Sequence, residues 1–151
     1  MRKSLTGLPL KHLIAALAIR ESLAPWTGHP YDFEIWVRLG FYMQNLSSPY
    51  RILPSVAGLS FAPSPTVGSI SYLPFSAFIF AVTYRFYLLL GAPSRFLYYF
   101  LLKQPMVLAD IGVALILARI LLLSGNVRSA RTVSMIWLYF PLGIIISSVW
   151  G

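Results

Sequence analysis

Four side chains in this sequence are carboxylic acids, Glu21, Asp32, Glu34 and Asp110, and they bound the chemistry open to it. A carboxylate can act as a general base, bind a metal ion or neutralise a cation, and a partly dry setting strengthens each role. Two of the four stand close together in His29-Pro30-Tyr31-Asp32-Phe33-Glu34-Ile35-Trp36. Asp32 has two readings: a base facing water just beyond the first apolar segment, or an acid in the first turn of a helix opened by Pro30, favoured there by the helix dipole. Glu34 precedes Arg38 by four residues, the spacing of a surface ion pair on a helix worth roughly a few tenths of a kcal/mol. Asp110 sits inside a hydrophobic stretch, where an ionisable group is costly and is a functional candidate by default. A structural ion pair with Lys103, two helical turns earlier, is its alternative.

Arg20, Arg38, Arg51 and Lys103 are candidates for gripping a phosphate, a task that suits the guanidinium fork; isolated arginines and lysines at a membrane boundary also simply contact lipid headgroups. His29 could ligate a metal, but no second histidine lies nearby, because His12 is expected on the opposite side of the membrane. No cofactor is expected, and nothing in the sequence supports a divalent metal. The absence of cysteine removes disulfides, thiolate metal sites and thiol nucleophiles. Asn45-Leu46-Ser47 matches a glycosylation sequon, while no phosphate loop, dinucleotide fingerprint or serine triad is present.

These groups need elements to position them, and composition says which kind. The chain has 151 residues, 58% apolar and 11% charged, with a mean hydropathy of +0.73, more apolar surface than a small water-soluble core can bury. Apolar runs near the roughly 20 residues that cross a bilayer as a helix point to an all-α integral membrane protein with about four hydrophobic segments. The net charge of +8 is spread singly rather than in a patch, so the positive-inside rule explains it better than nucleic acid does.

The first segment, 1–26, reads as an uncleaved span interrupted by Lys11, His12, Arg20 and Glu21. Lys11 to Arg20 rises only about 15 Å, so these charges cannot all reach water at opposite faces. Either the span tilts with snorkelling ends, or Arg20 and Glu21 face a protein interior or wet cavity. Residues 27–70, with five prolines, form an outer loop holding a helix over Tyr31 to Leu46 that lies along the membrane interface. Region 71–151 holds three further stretches, about Tyr72 to Leu90, Pro105 to Leu123 and Val133 to Trp150. Arg119, Arg128 and Arg131 cluster around the connection Ser124 to Ala130 and place it in the cytoplasm with Arg2, Lys3 and Lys11. With the N-terminus and that turn on one side, Tyr72 to Leu90 does not simply cross once; it is expected to be re-entrant or interfacial.

Four pieces in order carry a family resemblance: Arg20 with Asp32-Phe33-Glu34-Ile35-Trp36; Ser48-Pro49-Tyr50 with Tyr72-Leu73-Pro74; Lys103, Pro105 and Asp110; and Trp137-Leu138 before Pro141 with Ser147-Ser148 before Trp150-Gly151. The set resembles the N-terminal part of the GT-C superfamily, polytopic glycosyltransferases that use polyprenyl- or dolichyl-phosphate sugars, and within it the mannosyltransferase-like branch. The resemblance implies transfer of a hexose such as mannose to an acceptor hydroxyl. It implies Asp32 as catalytic base with Glu34 as second acid, and Arg20, Lys103, Tyr72 and Asp110 around the lipid phosphate. It also implies a multi-pass location, in a prokaryotic plasma membrane or the endoplasmic reticulum, with the N-terminus cytoplasmic and the first large loop outside. Here the acidic motif ends in glutamate, the last segment carries Phe140-Pro141, and the family continues with further helices beyond the stretch matched. The chain is therefore expected to be the first part of such an enzyme, completed by missing helices or a second membrane subunit. Two other classes compete: a non-catalytic membrane subunit docking on a larger complex, and a transporter fragment with Asp110 and Lys103 on its pathway.

Overall fold

The computed structural model describes residues 8–45, 53–60, 66–67 and 74–150. The fold is helical: α1 (Leu10–Leu23), α2 (Pro30–Tyr42) with a 3-10 turn after it, α3 (Pro74–Leu89), α4 (Arg95–Leu123), α5 (Val127–Tyr139) and α6 (Pro141–Ile144), which continues as a π-helical turn over Ile145–Trp150. Two short strands, β1 (Leu53–Pro54) and β2 (Thr66–Val67), pair antiparallel within the loop region. The chain divides into two compact units, Met1–Ala24 with Pro105–Gly151, and Pro25–Gln104, and the division falls inside α4 at Pro105.

Local chemistry accounts for the helix ends. Pro30 has its φ preset for the first turn of α2, and the His29 side chain caps it by accepting the Asp32 N–H through Nδ1 at 3.4 Å. At the other end of the chain, α4 closes on Gly125 at φ +80°, with Asn126 N–H bonded to the Leu121 carbonyl at 3.1 Å and Gly125 N–H to that of Leu122 at 3.0 Å. That left-handed closure costs a glycine least. Asn126 then caps α5 by accepting the Ser129 N–H at 2.9 Å. Phe140 is extended because Pro141 follows it, and Pro141 opens α6 at an angle of 49° to α5.

In the first unit, Ala16, Ala114 and Ala118 form a buried cluster with Leu8 and Leu138, edged by Leu13, Ile111 and Met135. The small side chains let helix backbones approach closely, the packing helices use where apolar burial alone offers little drive. The second unit has an aromatic core instead. Trp36 stacks on Phe80 at 5.2 Å, Phe33 meets Tyr99 edge-on at 4.9 Å, and Tyr98 packs against Tyr84 and Tyr87 at 5.3 and 5.1 Å. Every residue of α2 from Phe33 to Gly40 is buried in it.

Several expected elements change. The helix over Tyr31 to Leu46 ends at Tyr42 and is enclosed by protein rather than lying along an interface, because Glu34 and Arg38 neutralise each other and bury the side expected to be polar. The stretch from Pro105 begins ten residues earlier, at Arg95, and a helix of 29 residues runs through Pro105. Among the described residues α4 is the one helix long and apolar enough to cross a membrane by itself, and the bent pair of α5 and the helix after Pro141 adds a second if both halves make one span. Only 17% of the α4 apolar window is buried, unlike the core helix of a soluble protein. α1, with 14 residues, and α3, with 16, rise about 21 and 24 Å, short of the ~30 Å hydrocarbon layer.

Gly40 is the tightest point of the aromatic core. A Cβ there would overlap the Tyr98 hydroxyl and stand 2.9 Å from the Phe80 carbonyl oxygen. Gly40→Ala is expected to destabilise the second unit by about 1–3 kcal/mol. Gly112→Ala in α4, where a Cβ meets nothing within 4 Å, should be neutral or stabilising. Thermal unfolding of the two purified variants in detergent checks the contrast.

Candidate functional site

The buried charges come first, because burial dictates what remains for chemistry. In the first unit α1 carries Arg20, completely buried, and α4 carries Asp110. Arg20 Nε and Nη2 donate to Asp110 Oδ2 at 2.8 and 2.5 Å, and Nη1 donates to the carbonyls of Ala16 at 3.1 Å and Leu138 at 2.9 Å. Asp110 Oδ1 accepts from Trp137 Nε1 at 2.8 Å, and the Ser147 hydroxyl lies 3.3 Å from Oδ2. A charged pair taken out of water holds only when the remaining donors and lone pairs are also met, and this network meets nearly all of them. His12 Nδ1 and the Tyr139 hydroxyl, 3.3 Å apart, add a second contact between α1 and α5.

Two expectations are thereby corrected. Asp110 pairs with Arg20, not Lys103, since α1 delivers a guanidinium fork directly onto its carboxylate. Arg20, with four N–H bonds committed and no exposed surface, is not presented to a lipid phosphate. Of the two alternatives for Arg20, the structure shows the interior one.

The second unit buries another pair. Arg38 Nε donates to Glu34 Oε1 at 2.6 Å, with both side chains almost inaccessible, so the expected surface pair is an interior one. This carboxylate, 2% exposed and held by a guanidinium, is closed to solvent. Lys103, also buried, donates to the Thr27 carbonyl and to its hydroxyl at 2.9 Å, and its ammonium lies 5.4 Å from the Phe33 ring centre. It acts as a clamp on the segment before α2.

Asp32 is different. It stands in the first turn of α2, a third exposed, with Oδ2 3.1 Å from His29 Nδ1. Residues on either side of this pair, Gly28 and Phe33, line an open cleft of about 280 Å³ together with Trp26, Thr27, Phe96 and Arg95. Trp26 and Phe96 face each other at 4.9 Å, and the exposed Arg95 guanidinium rests 5.2 Å from the centre of the Phe96 ring. A carboxylate with an imidazole partner, flat apolar rings and an unburied cation within one small unit can accept a proton, stack a ring and attract an anion.

Tyr72 lies outside the described residues. Among those described, no group of three or more His, Asp or Glu side chains gathers as a metal site. Sequence reasoning gave Arg95 no task, and it missed the His29–Asp32 contact, for which the three-residue spacing across Pro30 was the signal. Trp137 and Ser147 were quoted in motifs without a role; both prove to hold Asp110. Comparison with protein-family models, with curated proteins and with solved structures finds nothing that matches this chain.

The buried network sets a stability test. Asp110→Leu, which strands the Arg20 charge, is expected to cost about 3–5 kcal/mol, and the double change Arg20→Met with Asp110→Leu to recover most of that loss. Unfolding titrations of the two single variants, the double variant and the parent measure the coupling. A double variant no more stable than Asp110→Leu would contradict a pairwise lock.

Proposed function

We propose that this chain is a membrane glycosyltransferase module that moves a hexose from a polyprenyl-phosphate donor to an acceptor hydroxyl, with Asp32 as the base. The observation that carries the reading is the exposed Asp32–His29 pair beside the aromatic, arginine-bearing cleft, set against the locked carboxylates of Glu34 and Asp110. On this reading Asp32 takes the acceptor hydroxyl proton as the new glycosidic C–O bond forms. The bond from the sugar carbon to the phosphate oxygen breaks at the same time, and its electron pair leaves on the lipid phosphate. The His29 imidazole stands beside the carboxylate, its Nδ1 accepting the Asp32 N–H. Arg95 replaces Arg20 and Lys103 as the cation offered to the phosphate, since it alone of the three stands exposed at the cleft.

The multi-pass arrangement belongs to the same proposal. The bare apolar surface of α4 supports membrane insertion, with the N-terminus and the α4–α5 turn cytoplasmic and the Asp32 loop outside; α1 and α3 are both too short to cross upright, so on this reading α1 crosses where the bilayer thins around it and α3 dips in or lies at the boundary. The partners are the bilayer, the lipid-linked sugar and a further membrane subunit or helices. The competing reading, a non-catalytic subunit, draws on the observation that two of the four acids are paired with buried arginines. A transporter pathway would need Asp110 and Lys103 available together, whereas each is engaged by other groups.

Sugar transfer from a polyprenyl-phosphate donor, assayed in membranes of cells carrying the gene in its native neighbourhood, is expected to fall by about two to four orders of magnitude in Asp32→Asn, the usual range for loss of a general base. Unchanged transfer would leave the non-catalytic reading standing. Single cysteines placed at Ser55 and Ser129 in this cysteine-free chain test orientation. Labelling of the first from outside, and of the second only after permeabilisation, is expected.

A further inference from the structure

The first unit contains a second, larger cleft of about 560 Å³ that plays no part in the chemistry above. Met106 from α4 and Phe140, Leu142 and Ile146 from the bend onward give it apolar walls, and Asp110 and Ser147 give it a polar end. Backbone chemistry opens it. Pro141 starts a new helix at 49° to α5, and Gly143, two residues on, places no side chain in the gap.

Donor counting selects what fits. Asp110 Oδ2 is taken by Arg20 Nε, Arg20 Nη2 and the Ser147 hydroxyl, but Oδ1 accepts from Trp137 Nε1 alone among the described residues. A carboxylate oxygen has two lone-pair directions, so Oδ1 retains one acceptor position. A Cβ built on Gly143 would lie 3.9 Å from this oxygen, and both residues line the cleft. Arg20 already balances the carboxylate charge. A cationic ligand would therefore add an uncompensated charge, and an anionic one would face the carboxylate. The complement is a neutral hydrogen-bond donor. Asp110 is also near the middle of α4, about 22 Å along a helix about 43 Å long, so on the membrane reading the cleft opens at hydrocarbon depth.

We propose that this cleft is a binding site for a neutral membrane alcohol, whose single hydroxyl donates to Asp110 Oδ1 while its hydrocarbon body lies against Met106, Phe140, Leu142 and Ile146. The site rests on α4 spanning the bilayer and is independent of sugar transfer and of Asp32. Trp137, which lines the cleft, reports occupancy.

The test uses the full chain in lipid nanodiscs and three brominated quenchers of tryptophan: a long-chain alkyl alcohol, its methyl ether and a phosphatidylcholine. The Trp137 contribution is obtained by subtraction of a Trp137→Phe sample. Saturable quenching by the alcohol is expected, with binding of the ether weaker by about tenfold or more, since it lacks the donor to a charged acceptor. Gly143→Leu should abolish the saturable component: its Cβ makes ordinary contacts of 3.9 and 4.0 Å with Asp110 Oδ1 and Phe140, and the rest of the side chain fills the cleft. Equal binding of alcohol and ether would overturn the hydroxyl assignment. Phosphatidylcholine that quenches Trp137 as well as the alcohol does would show a crevice filled by bulk lipid and overturn the site. Absence of saturable quenching, with Gly143→Leu dissociating a dimer, would mean that a second copy covers the cleft. Should Gly143→Leu fail to fold, the comparison of alcohol with ether on the unaltered chain decides alone. Loss of Asp32-dependent transfer would not move any of these readouts.

Discussion

An arginine side chain inside an apolar protein is tolerable only where an anion and enough acceptors surround it, and that constraint organises the first unit. Arg20 takes α1 to Asp110 on α4 and, through the Leu138 carbonyl, to α5, so one guanidinium ties three helices whose other contacts are mostly alanine and leucine. Alanine faces permit close approach but specify register weakly. The fork of Arg20, with fixed directions for its N–H groups, supplies the specification. Trp137 and Ser147 complete the shell around Asp110, which is how a sharp bend at Phe140-Pro141 comes to be held against α4.

The second unit answers the same constraint differently. Glu34 and Arg38 neutralise each other within α2, so the helix can be enclosed on all sides, and aromatic rings rather than small residues fill the space around it. Gly40 lets the Tyr98 ring reach α2, where its hydroxyl donates to the Val37 carbonyl at 3.3 Å. With α2 held in this way, its first turn is fixed in position at the surface, and Asp32 and His29 sit on that turn. Burial of the neighbouring pair thus anchors the helix whose first turn carries the accessible pair.

Helices were readable where apolar runs were long or where proline, glycine and asparagine punctuated them. The start of α2 at Pro30 and the turn at Gly125-Asn126 follow from backbone chemistry local to those residues, whereas the break before Pro141 falls inside the stretch Val133 to Trp150 that was expected to be continuous. The early start of α4 was not readable, because Pro105 suggested a beginning, whereas tertiary packing carries the helix through it. The first span was overestimated at its C-terminal end, since α1 stops at Leu23 and hydropathy alone does not report where a helix stops.

For the site, the short-range relations, Glu34 with Arg38 and His29 with Asp32, lay within one helical turn and were open to reading from spacing. Whether such a pair is inside or outside is decided by what packs on it, and here Glu34 and Arg38 went in while Asp32 stayed out. The Arg20–Asp110 pair spans 90 positions, and no local rule connects them. The sequence by itself determined that the chain is helical, apolar, poor in acids and punctuated at definite turns, because those properties depend on composition and on neighbours along the backbone. The tertiary structure alone decided which acid meets which base and which carboxylate keeps access to solvent, because desolvation and pairing arise only when distant segments are brought together.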